Sequence, residues 1–132
     1  MIILLDTNAF IWWILDDKHL GVKAKREIAN SNNNIYLSNL SLLECSIKVR
    51  LGKLSINFDI VDKEISEGRF LELRYDTLAA RQFVGQNNLT QADPFDAAIV
   101  AQAISKHMTL ITGDDHIIES RIDGLQLIDA TK

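Results

Sequence analysis

Met1-Ile2-Ile3-Leu4-Leu5-Asp6 opens the chain: an unbroken apolar run and then a carboxylate. A strand with one face in water alternates polar and apolar residues, so a continuous apolar run of this length reads as a strand covered on both faces, as in a parallel α/β sheet. It is far too short for a membrane span or a signal-peptide core. Working outward, Ala9 to Leu15 reads as helical, Val22 to Ala29 as a second helix, and Asn30 to Asn34 as a loop before a second strand, Ile35 to Ser38. Ser41 is expected to cap a helix in which Leu43, Ile47 and Leu51 recur every four residues, with Glu44 in its first turn and Gly52 as its stop. An amphipathic helix around Ile60 to Ile65, closed by Gly68, precedes a third strand, Phe70 to Leu73. Asp76 is placed to cap a helix running to Val84, and Asn87 to Ala92 form a loop. A helix then starts at Asp93-Pro94-Phe95-Asp96, followed by a strand, Thr109 to Thr112, that ends at Gly113-Asp114-Asp115, and a last strand, Leu125 to Ile128. Short apolar strands separated by helices predict an α/β three-layer sandwich: a mostly parallel central sheet with helices on both faces and right-handed crossovers.

The 132 residues, 47% of them hydrophobic, suit one domain spanning 1–132, and one Pro and six Gly leave no linker. With no run of membrane-spanning length, a soluble, cytoplasmic protein with no membrane partner is expected. Its one cysteine, Cys45, cannot form an internal disulfide, which suits a reducing compartment; it reads as a small buried residue on a helix. A net charge of −4 excludes a surface that attracts nucleic acid everywhere, while leaving room for local basic patches.

The acids carry the chemistry. In an open parallel sheet all strand C-termini lie on one edge, and ligands bind in the crevice there. Asp6 follows the first strand and Asp114 the late strand; Glu44 stands in the helix after the second strand, and Asp93 and Asp96 start the helix leading into the late one. All are expected to share one crevice. Coulomb repulsion forbids such a set from staying bare and ionised, so protons or cations must neutralise it. Carboxylate oxygens suit Mg²⁺ or Mn²⁺, and the lack of a Cys or His cluster argues against structural zinc. His19, His107 and His116 are scattered, and His116, though near the edge, reads as a surface residue. A hard divalent cation so held can activate water and stabilise charge on phosphoryl oxygens, which fits phosphodiester hydrolysis.

Four stretches, LLDTNAFIWWI (4–14), LSLLECSIKVRLGKL (40–54), DPFDAAIVAQA (93–103) and TLITGDD (109–115), each contain an acid and come in an order that resembles the PIN-domain ribonucleases, and within them the VapC-like toxins of bacterial toxin–antitoxin pairs. The likeness runs along nearly the whole chain. It implies a PIN-like fold, a Mg²⁺- or Mn²⁺-dependent endoribonuclease acting on RNA, a homodimer, and a cognate antitoxin that silences the site. The residues matching the family's acids are Asp6, Glu44, Asp96 and Asp114, as catalytic and metal-binding groups, with Asp93 and Asp115 as secondary candidates. Related toxins often carry His-Arg before DPFD and Arg after it; here Gln91-Ala92 and Ala97 stand instead. That departure bears on substrate contacts rather than on the metal.

Each assignment has a plainer alternative. Asp6 can cap the turn after its strand, Glu44 can pair with Lys48 one helical turn on, and an acid at position 93 is a favoured helix cap. The reading adopted gives the cap to Asp93 and the metal to Asp96. Thr112 is a candidate to orient Asp6 or Asp114, and Asn8, with Thr7, to supply hydrogen bonds nearby, though each also suits a plain strand or turn. Lys48 and Arg50, with Lys53 beyond them, are candidate phosphate contacts, whereas Lys23, Lys25 and Arg26 read as a solvated face. Phe10, Ile11, Trp12 and Trp13 are assigned to core or pairing, not to catalysis. Rival readings are a non-catalytic PIN-like interaction domain and a Mg²⁺-dependent phosphatase or phosphotransfer domain; against the latter, position 8 is Asn where a second Asp is wanted.

Overall fold

A computed structural model describes residues 1–86 and 93–132. The loop expected at Asn87 to Ala92, including Gln91-Ala92, lies outside the described residues. Strands β1 (Ile2–Leu5), β2 (Asn34–Ser38), β3 (Phe70–Leu73), β4 (Thr109–Thr112) and β5 (Gln126–Asp129) form one sheet in the order β3-β2-β1-β4-β5, with every pairing parallel. Between them run α1 (Thr7–Ile14), α2 (Val22–Ala29), α3 (Asn39–Arg50), α4 (Phe58–Ser66), α5 (Thr77–Gly85), α6 (Pro94–Ser105) and α7 (Asp115–Ser120). This is the three-layer α/β architecture expected from the sequence.

The opening apolar run is explained by what lies on each side of β1. Ile3 and Leu5 join Phe10, Ile28, Leu37 and Phe70 in one cluster, while Leu4 points the other way into Ile99, Val100, Leu110 and Ile117. Ile3, Leu4 and Leu5 are fully buried, each contributing roughly 2 kcal/mol relative to exposure. Strand order reverses beside β1: β2 and β3 extend to one side, β4 and β5 to the other. In sheets of this kind the crevice opens at that reversal, outside the strand C-termini.

The structure corrects several local expectations. Ser38, not Ser41, caps α3: its hydroxyl accepts from the Leu40 N–H at 3.1 Å, because β2 turns into the helix at its own last residue. Glu44 therefore sits in the second turn rather than the first. The stripe Leu43, Ile47 and Leu51 faces outward, at 51%, 42% and 62% exposure, and the side chains α3 buries fully are Ser41 and Cys45. Four-residue spacing identified the helix, and the stripe it marks is the outer face. The short helix α7 was not anticipated; Asp114 caps it by accepting from the Ile117 N–H at 3.1 Å. No described helix is long and apolar enough to cross a membrane.

Candidate metal centre at the carboxyl edge of the sheet

Asp6 ends β1 next to the reversal point. Its N–H donates to the Ile111 carbonyl of β4 at 3.0 Å, so the turn after β1 is stitched to the strand that ends at Thr112. Its Oδ1 accepts from the Ala9 N–H at 2.8 Å, capping α1. At 3% exposure the carboxyl is inside the protein. Burial raises it from the ordinary 3.8 to about 6, against the opposing pull of the Thr112 hydroxyl and the Ala9 and Gly113 N–H groups, with Asp114 repelling it further.

Thr112 is fully buried at the end of β4, and its Oγ1 accepts from the Asp114 N–H at 3.1 Å. Its hydroxyl thus touches both acids that the sequence placed at this edge. Gly113 between them is needed sterically: a Cβ there would lie 2.8 Å from Cη2 and 2.9 Å from Cζ3 of Trp12. Trp12 packs partly buried against the core and stacks on His19, and Trp13 packs edge-on against Phe70 under the Arg69 guanidinium. Both aromatics serve packing, as expected.

Asp96 stands half-buried in the first turn of α6. Burial first, and then the neighbouring charges of Asp6, Asp93, Asp114 and Glu44, raise its carboxyl from 3.8 to about 7. Those four acids, from three other segments of chain and the cap of its own helix, lie near enough for their charges to act on Asp96. Asp115 is not among them; it lies exposed in the first turn of α7. Asp93 does cap α6, accepting from the Phe95 N–H at 2.8 Å and the Asp96 N–H at 3.4 Å.

Glu44 makes the helix-surface pair with Lys48, at 3.0 Å between Oε2 and Nζ. Its other oxygen, Oε1, is buried with no hydrogen-bond partner among the described residues. A carboxylate oxygen held out of water without a donor is an uncompensated acceptor. Hard oxygen donors, one of them unpartnered, around acids that resist ionising together fit a divalent cation. Among the described residues no three Asp, Glu, His or Cys side chains form a ready-made ion site.

Among the other candidates, Asn8 is exposed on α1 and makes no side-chain hydrogen bond among the described residues. Thr7 is buried, with Oγ1 3.0 Å from Oγ of Ser41. Lys48 is committed to Glu44, while Arg50 and Lys53 are exposed. Lys23 and Arg26 are exposed and Lys25 pairs with Asp16, which fits a solvated face. Sequence reasoning missed Ser38 and Gln102, whose side chains bond at 2.7 Å deep between α3 and α6. The available signal was a lone amide within the otherwise apolar run of α6.

A wholly parallel five-stranded sheet layered with helices, with Asp6 and Asp114 just beyond the C-termini of β1 and β4, defines the class of fold. The family model of the PIN domain matches residues 3–122, and the chain belongs to that family. Among solved structures the chain is similar to one in DNA-bound VapBC from Salmonella typhimurium, with 24% identity, TM-score 0.70 and 98% of each chain covered. It is also similar to one in VapBC2 from Rickettsia felis bound to a promoter DNA fragment, with 22% identity, TM-score 0.68 and 98% of each chain covered. A third is VapBC-5 from Mycobacterium tuberculosis, a member of the VapBC family of toxin–antitoxin systems, with 20% identity, TM-score 0.60 and coverage of 97% of this chain and 98% of that one. No curated protein sequence matches the chain.

Proposed function

We propose that this PIN-domain protein is a metal-dependent endoribonuclease and the toxin of a toxin–antitoxin pair. The observation that supports the proposal is the Asp96 carboxyl, raised to about 7 by burial first and then by the charges of Asp6, Asp93, Asp114 and Glu44. Membership of the PIN family supports nuclease chemistry, and the likeness to chains of VapBC assemblies supports the toxin role. A bound Mg²⁺ or Mn²⁺ would supply an activated water and offset the charge that builds on the phosphoryl oxygens.

In this reading Asp6, Asp96, Asp114 and Glu44 hold that cation, directly or through water. Asp6 and Asp114 are aimed by the Thr112 hydroxyl, and each leaves Oδ2 free of its capping bond. One of these carboxylates accepts the proton of the attacking water. Lys48 holds Glu44 in place, and Arg50 meets the RNA backbone. The partners are an RNA substrate, a cognate antitoxin and a second copy of the chain. The exposed apolar residues of α3 and α5, Leu43, Ile47, Leu51, Leu78 and Val84, are the surface assigned to protein partners.

Purified protein incubated with total RNA and Mg²⁺ or Mn²⁺ should cleave it, chelator should stop the cleavage, and Asp96→Asn should reduce it at least a hundredfold. Cleavage that survives chelator, or that Asp96→Asn leaves intact, contradicts the proposal. Growth arrest on expression, relieved by a co-expressed small neighbouring protein, tests the toxin role separately.

A further inference from the structure

We propose that two buried hydroxyl bonds, Thr7 Oγ1 to Ser41 Oγ at 3.0 Å and Ser38 Oγ to Gln102 Oε1 at 2.7 Å, fix helix α3, which carries Glu44, against the Asp6 turn and the Asp96 helix. The inference rests on the acids forming a cation site. Thr7, Ser38, Ser41 and Gln102 are then positioning residues, acting through Glu44 rather than on substrate.

α3 has a slender apolar anchor: Cys45 in the core and Leu42 partly buried beside it. Its fully buried side chains are Ser41 and Cys45, and its leucine and isoleucine stripe, Leu43, Ile47 and Leu51, faces out. Apolar contact is non-directional, so a helix held mainly that way can slip or roll at little cost, whereas hydrogen bonds fix distance and angle. Both bonds sit where such control matters. Ser41 precedes Glu44 by three residues, which places the two on one face of α3, and its partner Thr7 immediately follows Asp6. Ser38 starts α3, accepts from the Leu40 N–H, and donates to Gln102 on α6, the helix that carries Asp96. One bond ties Glu44's helix to the Asp6 turn, the other to the Asp96 helix.

Stability alone does not account for Gln102. Its Nε2 is buried without a partner among the described residues, a cost that an apolar side chain at 102 would avoid. A leucine there would suit the surrounding Ala, Ile and Val residues of α6, but it would release Ser38.

The test measures Mn²⁺ affinity by titration calorimetry, alongside the melting temperature, in the native chain and in Thr7→Val, Ser41→Ala, Gln102→Leu, Thr7→Ser and Asp6→Asn. Ile28→Val, which trims a core side chain on α2 that makes neither hydroxyl bond, serves as the stability control. Thr7→Val, Ser41→Ala and Gln102→Leu should each weaken Mn²⁺ binding about 10- to 100-fold, the range seen when groups that orient ligands are lost. Thr7→Ser, which keeps a hydroxyl, should bind within about threefold of native. Adding Ser41→Ala to Thr7→Val should cost little more, since one bond is lost either way. Ile28→Val should lower the melting temperature and leave affinity alone. Native affinity in the three pin variants overturns the inference while leaving the cation site standing, and so does affinity that follows melting temperature in step with Ile28→Val. If the native chain shows no Mn²⁺ binding that Asp6→Asn removes, the cation site and the inference fall together.

Discussion

Asp6→Asn should stabilise the protein while disabling it, and the size of the gain follows from burial. The Asp6 carboxyl moves from the ordinary 3.8 to about 6 on folding, and at ~1.4 kcal/mol per pH unit this is ~3 kcal/mol. The pKa is raised on folding, so below about pH 4 the group is protonated in folded and unfolded chains alike and carries no penalty. Between about pH 4 and 6 the unfolded chain gives up this proton while the folded chain keeps it, so stability falls through that window and the full penalty stands above about 6. Asp96, raised to about 7 by burial and its four acidic neighbours, adds in the same direction. Asparagine keeps a carbonyl oxygen for the Ala9 N–H, so the cap on α1 survives and the charge is what disappears. In urea titrations with metal removed, the advantage of Asp6→Asn over native should widen by ~2–3 kcal/mol between about pH 4 and pH 8. Saturating Mn²⁺, at about a hundred times its dissociation constant, should return ~2.7 kcal/mol to the native chain and little to the variant. It should also bind native protein more tightly as pH rises through 6 to 7, because binding must displace protons from Asp6 and Asp96. A gap between variant and native that stays flat with pH, or equal stabilisation of both by Mn²⁺, refutes the reasoning.

Gly113→Ala should lower stability by ~1–3 kcal/mol, because its Cβ would meet the Trp12 ring at 2.8 Å, and should reduce cleavage by more than the melting shift explains, because the displaced turn carries Asp114; an unchanged melting curve would show that Trp12 simply moves aside. Asp93→Asn should keep both the α6 cap and cleavage, whereas Asp93→Ala should cost ~1 kcal/mol in stability. RNA cleavage by Asp93→Asn reduced as far as by Asp96→Asn would instead make Asp93 a working member of the site.

The sheet was legible because β1 is an unbroken apolar run and the other strands are short segments rich in apolar residues set between helices, and parallel topology placed Asp6 and Asp114 at the same edge. Helix faces were harder to read. The spacing of Leu43, Ile47 and Leu51 is that of a buried stripe, yet on α3 the inner face carries Ser41 and Cys45, small groups that let the helix approach closely. Periodicity reports that one face is apolar; it does not report whether that face meets the chain's own core. The Ser38–Gln102 bond spans 64 residues and joins two side chains of ordinary type, so no local pattern announces it.

The cap on α6 falls to Asp93, as expected from the sequence, and Asp96 caps no helix. Asp6 and Asp114 also cap helices, each through Oδ1. If those two hold the proposed cation, capping does not separate structural acids from functional ones in this fold. The backbone N–H groups that accept the role of partner to Asp6 also pull its pKa down, opposing the burial that pushes it up. Without those bonds a carboxyl at 3% exposure would hold its proton still more firmly and compete against any cation. Using one oxygen for the helix thus keeps the other available near neutral pH. Caps at the reversal point are a means of keeping buried acids within reach of ionisation.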